Sequence, residues 1–217
     1  MLFEQLFHDE HIRQRYALVT DYEDRTGGWA YHGWDHVTQV TAMTASILEQ
    51  LNMSKEYIHA AKIAALLHDI GADEGKEGHA QRSMEFAQKL LASYPPVPYE
   101  QELYQAIRNH SNGFDTDELM TVALILSDKL DITRPRVAKA GYSVQGMRQL
   151  QYLTAIDLQI SPAKVTVSFR AEPDLNLTEL NHFYFTEKVF RAVSAFATLI
   201  QRTPELILNG EVWQLPA

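Results

Sequence analysis

The chain has 217 residues, a formal net charge of -9, 46% hydrophobic and 22% charged residues, and no cysteine. This length supports one sizeable core, and the composition excludes disordered and fibrous classes. The acidic balance excludes a dedicated duplex nucleic-acid binder but admits a phosphorylated small molecule held through cations, and without thiolates any metal must be held by His, Asp and Glu.

Residues 1–10 are acidic and amphipathic, unlike the basic start and apolar core of a signal peptide, and no apolar run approaches the roughly 18 residues of a membrane span. The expectation is a cytoplasmic protein without a membrane partner. Leu2, Leu6, Ile12, Tyr16 and Val19 predict a first helix over about 2–23, ended by Gly27-Gly28. Val37, Val40, Ile47 and Leu51 predict a second over about 34–51, and Ser54 is the expected cap of a third over 55–68. That third segment is small and apolar (Ala60, Ala61, Ala64, Ala65), as suits a buried central helix.

Three glycines make 70–78 a loop, and a fourth helix over 79–93 is stopped by Pro95-Pro96-Val97-Pro98. Helices over 99–110 and 116–129 follow. Beyond a loop carrying Arg134-Pro135-Arg136, residues 145–153 read as helical. Alternating apolar and polar residues around Ser161-Pro162-Ala163 predict a hairpin over about 155–171, then a last helix over about 177–202 and a short tail. No repeat or linker divides the chain, so one domain over 1–217 is expected.

His-Asp pairs occur twice, at His8-Asp9 and His68-Asp69. The first reads as surface. The second ends a helix so apolar that an imidazole and a carboxylate there need partners. His36 lies at the start of another helix, His110 and Asp128 at the ends of two more, and helix ends converging on one pocket are how a bundle builds a metal site. Imidazole with carboxylate suits Fe or Mn, with Mg, Zn and Co as alternatives. The competing reading, helix-terminal residues bonded to the last carbonyls, is weak for the set taken together.

The order H…HD…H…H…D, realised as His36, His68-Asp69, His79, His110 and Asp128, resembles the HD superfamily of phosphohydrolases. The strings LLHDIG (66–71), GHAQRSMEFA (78–87), IRNHSNG (107–113) and ILSDKLD (125–131) are similar to its binuclear branch, and the resemblance covers about 31–136. It implies an all-α helical bundle, with the hairpin as a small addition, around two divalent metal ions. His36, His68, Asp69 and Asp128 would hold one ion, and His79 and His110 the other, with Asp69 bridging. The implied reaction is hydrolysis of a phosphoester or phosphoanhydride in a nucleotide-like small molecule by a metal-bridged hydroxide. A di-iron oxygenase with the same ligands and a non-catalytic sensor are the alternatives.

Tyr31-His32-Gly33-Trp34-Asp35-His36 is similar to a Y-H-N-x-x-H signature in which the first His donates a proton, so His32 is the expected donor and Gly33 the departure. Lys76, Arg134 and Arg136 are candidate phosphate contacts, set in loops near the ligands. Asp73 and Glu74 are weighed as bases against simple solvation. Tyr31 and Trp34 read as core aromatics, with stacking on a base as the alternative. The chain lacks a GYP tripeptide, and Ala72 stands where mononuclear nucleotidases carry Glu.

Overall fold

The computed structural model describes residues 1–216. The expected first helix is two, α1 (Leu2–Phe7) and α2 (Glu10–Thr26), because the Asp9 carboxylate caps α2 by accepting from the His11 and Ile12 amides. Asp9 is therefore a cap and His8 is exposed, so the first His-Asp pair is surface, as read. α3 (Trp34–Gln50) and α4 (Lys55–Leu67) follow, the latter capped by Ser54, with α5 (His79–Leu91), α6 (Glu100–Asn109) and α7 (Leu119–Leu130) after them.

Two helices form the centre. In α4 the alanines at 60, 61, 64 and 65 are fully buried and let its neighbours close in. Every residue of α7 from Met120 to Leu130 is buried, the pattern of a helix surrounded by protein. The ends of these two helices carry His68-Asp69 and Asp128 into the interior. No helix among the described residues is long and apolar enough to cross a membrane.

The C-terminal third corrects the all-α expectation. Residues 134–152 form short 3-10 turns rather than the helix expected over 145–153. The hairpin is present as antiparallel β1 (Leu153–Ile160) and β2 (Lys164–Ala171), but it belongs to a four-stranded sheet. After α8 (Leu177–Asn181) and α9 (Tyr184–Leu199), the expected tail becomes β3 (Thr203–Leu208), parallel to β2, and β4 (Glu211–Val212), antiparallel to β3. The break between α8 and α9 splits the single helix expected over 177–202.

β2 alternates as a half-buried strand should, with Val165, Val167 and Phe169 inward. Trp213 closes this layer, its ring edge-on to Phe169 and Phe190 at 5.1 Å each and its Nε1 donating to Asn181 Oδ1 at 2.8 Å. The outer edge of β1 meets the end of α3, where the Gln50 amide donates to the Leu158 carbonyl and accepts from the Ile160 amide. Trp213→Ala should cost about 3–5 kcal/mol. A urea titration should show a correspondingly lower midpoint, and an unchanged midpoint would mean that this packing does not hold the sheet.

Candidate metal centre

Six side chains from five helix ends meet at one place. They form two groups that share a carboxylate: His36, His68, Asp69 and Asp128, and Asp69, His79 and His110, all buried. Asp69 Oδ2 lies 3.5 Å from His36 Nε2 and 3.4 Å from His68 Nε2. Its Oδ1 lies 3.1 Å from His79 Nε2 and 3.4 Å from His110 Nε2. Asp128 Oδ1 is 3.3 Å from His36 Nε2.

The rings are aimed from behind. His68 Nδ1 donates to the Ala65 carbonyl at 2.7 Å, His79 Nδ1 to that of Lys76 at 2.6 Å, and His110 Nδ1 to that of Ile107 at 2.7 Å. Each contact reaches three residues back along the chain, so one turn of backbone fixes the ring and leaves Nε2 as a bare lone pair facing inward. His36 is held differently, with Nδ1 2.6 Å from Asp131 Oδ2. Sequence reasoning missed Asp131; its signal was the position three residues after Asp128, on the same face of the chain's exit from α7.

The geometry asks for a cation. His36 Nε2, His68 Nε2 and Asp69 Oδ1 are buried with no hydrogen-bond partner. His79 Nε2 and His110 Nε2 stand 3.0 Å apart although both rings use Nδ1 as donor, so two lone pairs face one another. Orphaned buried acceptors of this kind are costly in an apolar interior and fit a divalent ion held by nitrogen and oxygen.

Electrostatics prepare Asp69 and His110 for the same state, whereas His36 holds a proton that a metal would displace. Burial alone would raise the Asp69 carboxyl, but Lys76 and the surrounding imidazoles hold it well below the usual carboxylate range. Burial holds His110 neutral, its pKa lowered to about 4, which leaves its lone pair free. For His36, burial and Arg136 act downward, yet Asp128, Asp131 and Asp69 outweigh them and raise it to about 9.

The loop between the two groups is held by Arg82 and Ser83 on α5. Arg82 donates to the carbonyls of Gly71, Glu77 and Gly75, and Ser83 Oγ accepts from the Gly71 amide at 2.9 Å. A Cβ at Gly71 would lie 2.7 Å from the Ser83 backbone nitrogen, so only glycine allows this approach. The grip presents Lys76, whose Nζ is 3.5 Å from Asp69 Oδ2. Asp73 is turned away, paired with Arg15 at 2.9 Å.

The centre opens into a cavity of about 480 Å³ lined by His32, Lys76, Lys129, Arg136 and Lys188 among others. Arg136 arrives because residues 29–31 and 136–138 pair: Ala30 bridges Val137, the Tyr31 amide donates to the Arg136 carbonyl at 3.0 Å, and the Arg136 guanidinium donates to the Tyr31 carbonyl. Its Nη2 is 3.8 Å from Asp128 Oδ1, and Lys129 pairs directly with the other oxygen of Asp128. Arg134, expected to join it, is carried elsewhere. Its side chain is 54% exposed and bonds Glu172 and the Gln151 carbonyl, which anchors the turn to the sheet instead.

His32 faces the cavity with its Nδ1 against Glu23, a buried carboxylate on α2 that also accepts from the His32 amide at 2.9 Å. Burial first, then the charges of Arg136 and Lys76, lower the His32 pKa, and burial raises that of Glu23. The Glu23 contact gave no local signal, since the pair lies nine positions apart across Gly27-Gly28. Gly33 replaces Asn for a steric reason: a Cβ there would lie 2.2 Å from Thr20 Oγ1, where α3 starts against α2. Trp34 packs on Phe7 at 5.1 Å with Arg13 over its ring, and the Tyr31 hydroxyl bonds Asp24, so both belong to packing rather than to the main cavity.

A proton on His36 must leave before a metal can bind, so metal affinity should rise with pH up to about 9. In the metal-free protein the sign is opposite. The folded pKa of about 9 exceeds the ordinary 6.5, so this group stabilises the fold fully below 6.5 and loses that contribution between 6.5 and 9. Asp131→Asn should flatten that decline and weaken metal affinity about 10- to 100-fold. Equilibrium dialysis and pH-dependent melts check both, and a variant with native metal affinity would remove Asp131 from the site.

Residues 33–140 match the family model for the HD domain. A comparison with curated proteins gives no match. The matched segment spans α3 to α7 and contains all six clustered side chains, as well as Asp131 and both arginine-loop positions. The chain belongs to the HD domain family, and its His/Asp cluster fits an HD metal site.

Proposed function

We propose that the protein is a metal-dependent phosphohydrolase that cleaves a phosphoester or phosphoanhydride bond of a small, nucleotide-like molecule at a centre for two divalent ions, Fe or Mn before Mg, Zn or Co. One observation carries this reading: two buried donor groups share the Asp69 carboxylate, and Lys76, Lys129, Arg136 and Lys188 line the cavity beside them. His36, His68, Asp69 and Asp128 would hold one ion, and Asp69, His79 and His110 the other. Bound there, the ions supply a water acidified toward neutral pH and positive charge for the phosphoryl oxygens.

The chain's own residues do the rest. Lys76 and Arg136 stand on either side of the donor groups, where each can take a non-bridging phosphate oxygen and share the charge that grows as water oxygen adds to phosphorus. The bond from phosphorus to the leaving oxygen breaks, and that oxygen needs a proton. His32, backed by Glu23, is placed to give it. Its burial favours the neutral ring, and the negative charge of an arriving phosphate restores the protonated one. The cationic lining suits an anionic substrate such as a phosphate ester, and phosphate release against oxygen uptake separates hydrolysis from the oxygenase alternative.

Protein purified without chelator should contain about two metal ions per chain and release inorganic phosphate from phosphate esters without consuming oxygen. A reproducible content of one ion refutes the binuclear part, and oxygen uptake without phosphate release refutes the whole. Asp69→Ala should abolish both metal retention and turnover. His32→Ala should lower kcat about 10²- to 10⁴-fold with metal content intact, and an unchanged rate would exclude it as the donor.

A further inference from the structure

The cavity has a second half that the metal centre does not explain. Part of its lining is apolar and aromatic, made by Met147, Leu150, Phe183, Tyr184 and Phe185, with the half-exposed Trp29 beside them. All six lie outside the residues that match the HD domain. Met147, Leu150 and Phe183 are buried and fix the wall, whereas Trp29 is 46% and Tyr184 57% exposed. Tyr184 meets Phe183 and Phe185 edge-on yet keeps more than half of its surface open, so two large aromatic side chains border the metal-binding cavity with area to spare.

Charge runs along the same wall. Lys188, one helical turn after Tyr184 and 5.6 Å from its ring centre, lines the cavity and makes no ion pair among the described residues. Lys76, Lys129 and Arg136 each lie near Asp69 or Asp128. A free cation between the aromatic rim and the donor groups suits a ligand that is anionic at one end and flat and apolar at the other. The volume, about 480 Å³, lies within the range that encloses small organic ligands.

We propose that the segment after the HD domain, together with Trp29, forms the subsite for the leaving group, and that it selects nucleoside phosphates by stacking the base on Tyr184 and Trp29 while Lys188 meets the phosphate end. This deepens the phosphohydrolase reading and rests on it. The HD segment binds the group that is transferred, and the later segment binds the part that departs. Base stacking on aromatic side chains is worth about tenfold in affinity per base, and it tolerates sequence because every base has a π face. Selectivity of this kind discriminates a nucleotide from a sugar phosphate rather than one base from another.

The probes are phosphonate analogues of AMP and of ribose 5-phosphate, in which a methylene replaces the ester oxygen and blocks hydrolysis. Calorimetry on the Mn²⁺-loaded protein should show the AMP analogue binding about tenfold more tightly. Tyr184→Ala and Trp29→Ala should each reduce that preference to about twofold or less. Tyr142→Ala, an exposed aromatic outside the cavity, should keep it. Equal affinities in the unaltered protein, no measurable binding of the AMP analogue, or a preference retained in both rim variants would each overturn the proposal. Phosphate release from AMP and ribose 5-phosphate separates the two readings. Selective binding without release from either ester leaves the subsite and removes phosphomonoester hydrolysis, while release from both with equal affinities does the reverse.

Discussion

One carboxylate organises the molecule. Asp69 turns one oxygen toward His36 and His68 and the other toward His79 and His110, so four imidazoles from four helices converge on a group that is almost entirely buried. A lone buried carboxylate would be expensive, and this one stays ionised because Lys76 and the imidazoles around it favour the charge. The fold supplies that setting. α4 must end there, α7 must run beside it fully buried, and the loop after Asp69 must double back at Gly71 to deliver His79.

The protein as a whole is acidic, yet the space above the donor groups is lined by Lys76, Lys129, Arg136 and Lys188. Net charge and local charge answer different questions. The first governs what the surface repels, and the second governs what the cavity admits. An acidic exterior discourages nonspecific contact with polyanions, while a small anion that reaches the cavity meets a concentrated positive field.

Sequence reasoning located the helices up to Leu130 because their apolar faces repeat at helical spacing, and it located the donors because their order resembles the HD pattern and several fall at helix ends. It stopped where contacts become non-local. Thr203–Leu208 looks like a tail until β2 offers an edge, since a parallel strand is specified by a partner some forty residues earlier rather than by its own alternation. Arg134 and Arg136 are equivalent as a sequence pair, but the 3-10 turn between them sends one to the sheet and the other to the cavity. Asp131 acts on His36, 95 positions earlier, and the aromatic wall forms only when separate segments meet, so neither role could be read from neighbouring residues.

The Gln50 side chain, which occupies backbone positions on the outer edge of β1, bears on how the sheet behaves in a crowd of identical molecules. At the opposite edge β4 is only two residues long and carries the exposed Glu211. A ladder interrupted on one flank and too brief on the other gives a second chain little to zip onto, so the sheet brings this helical domain little tendency to form filaments.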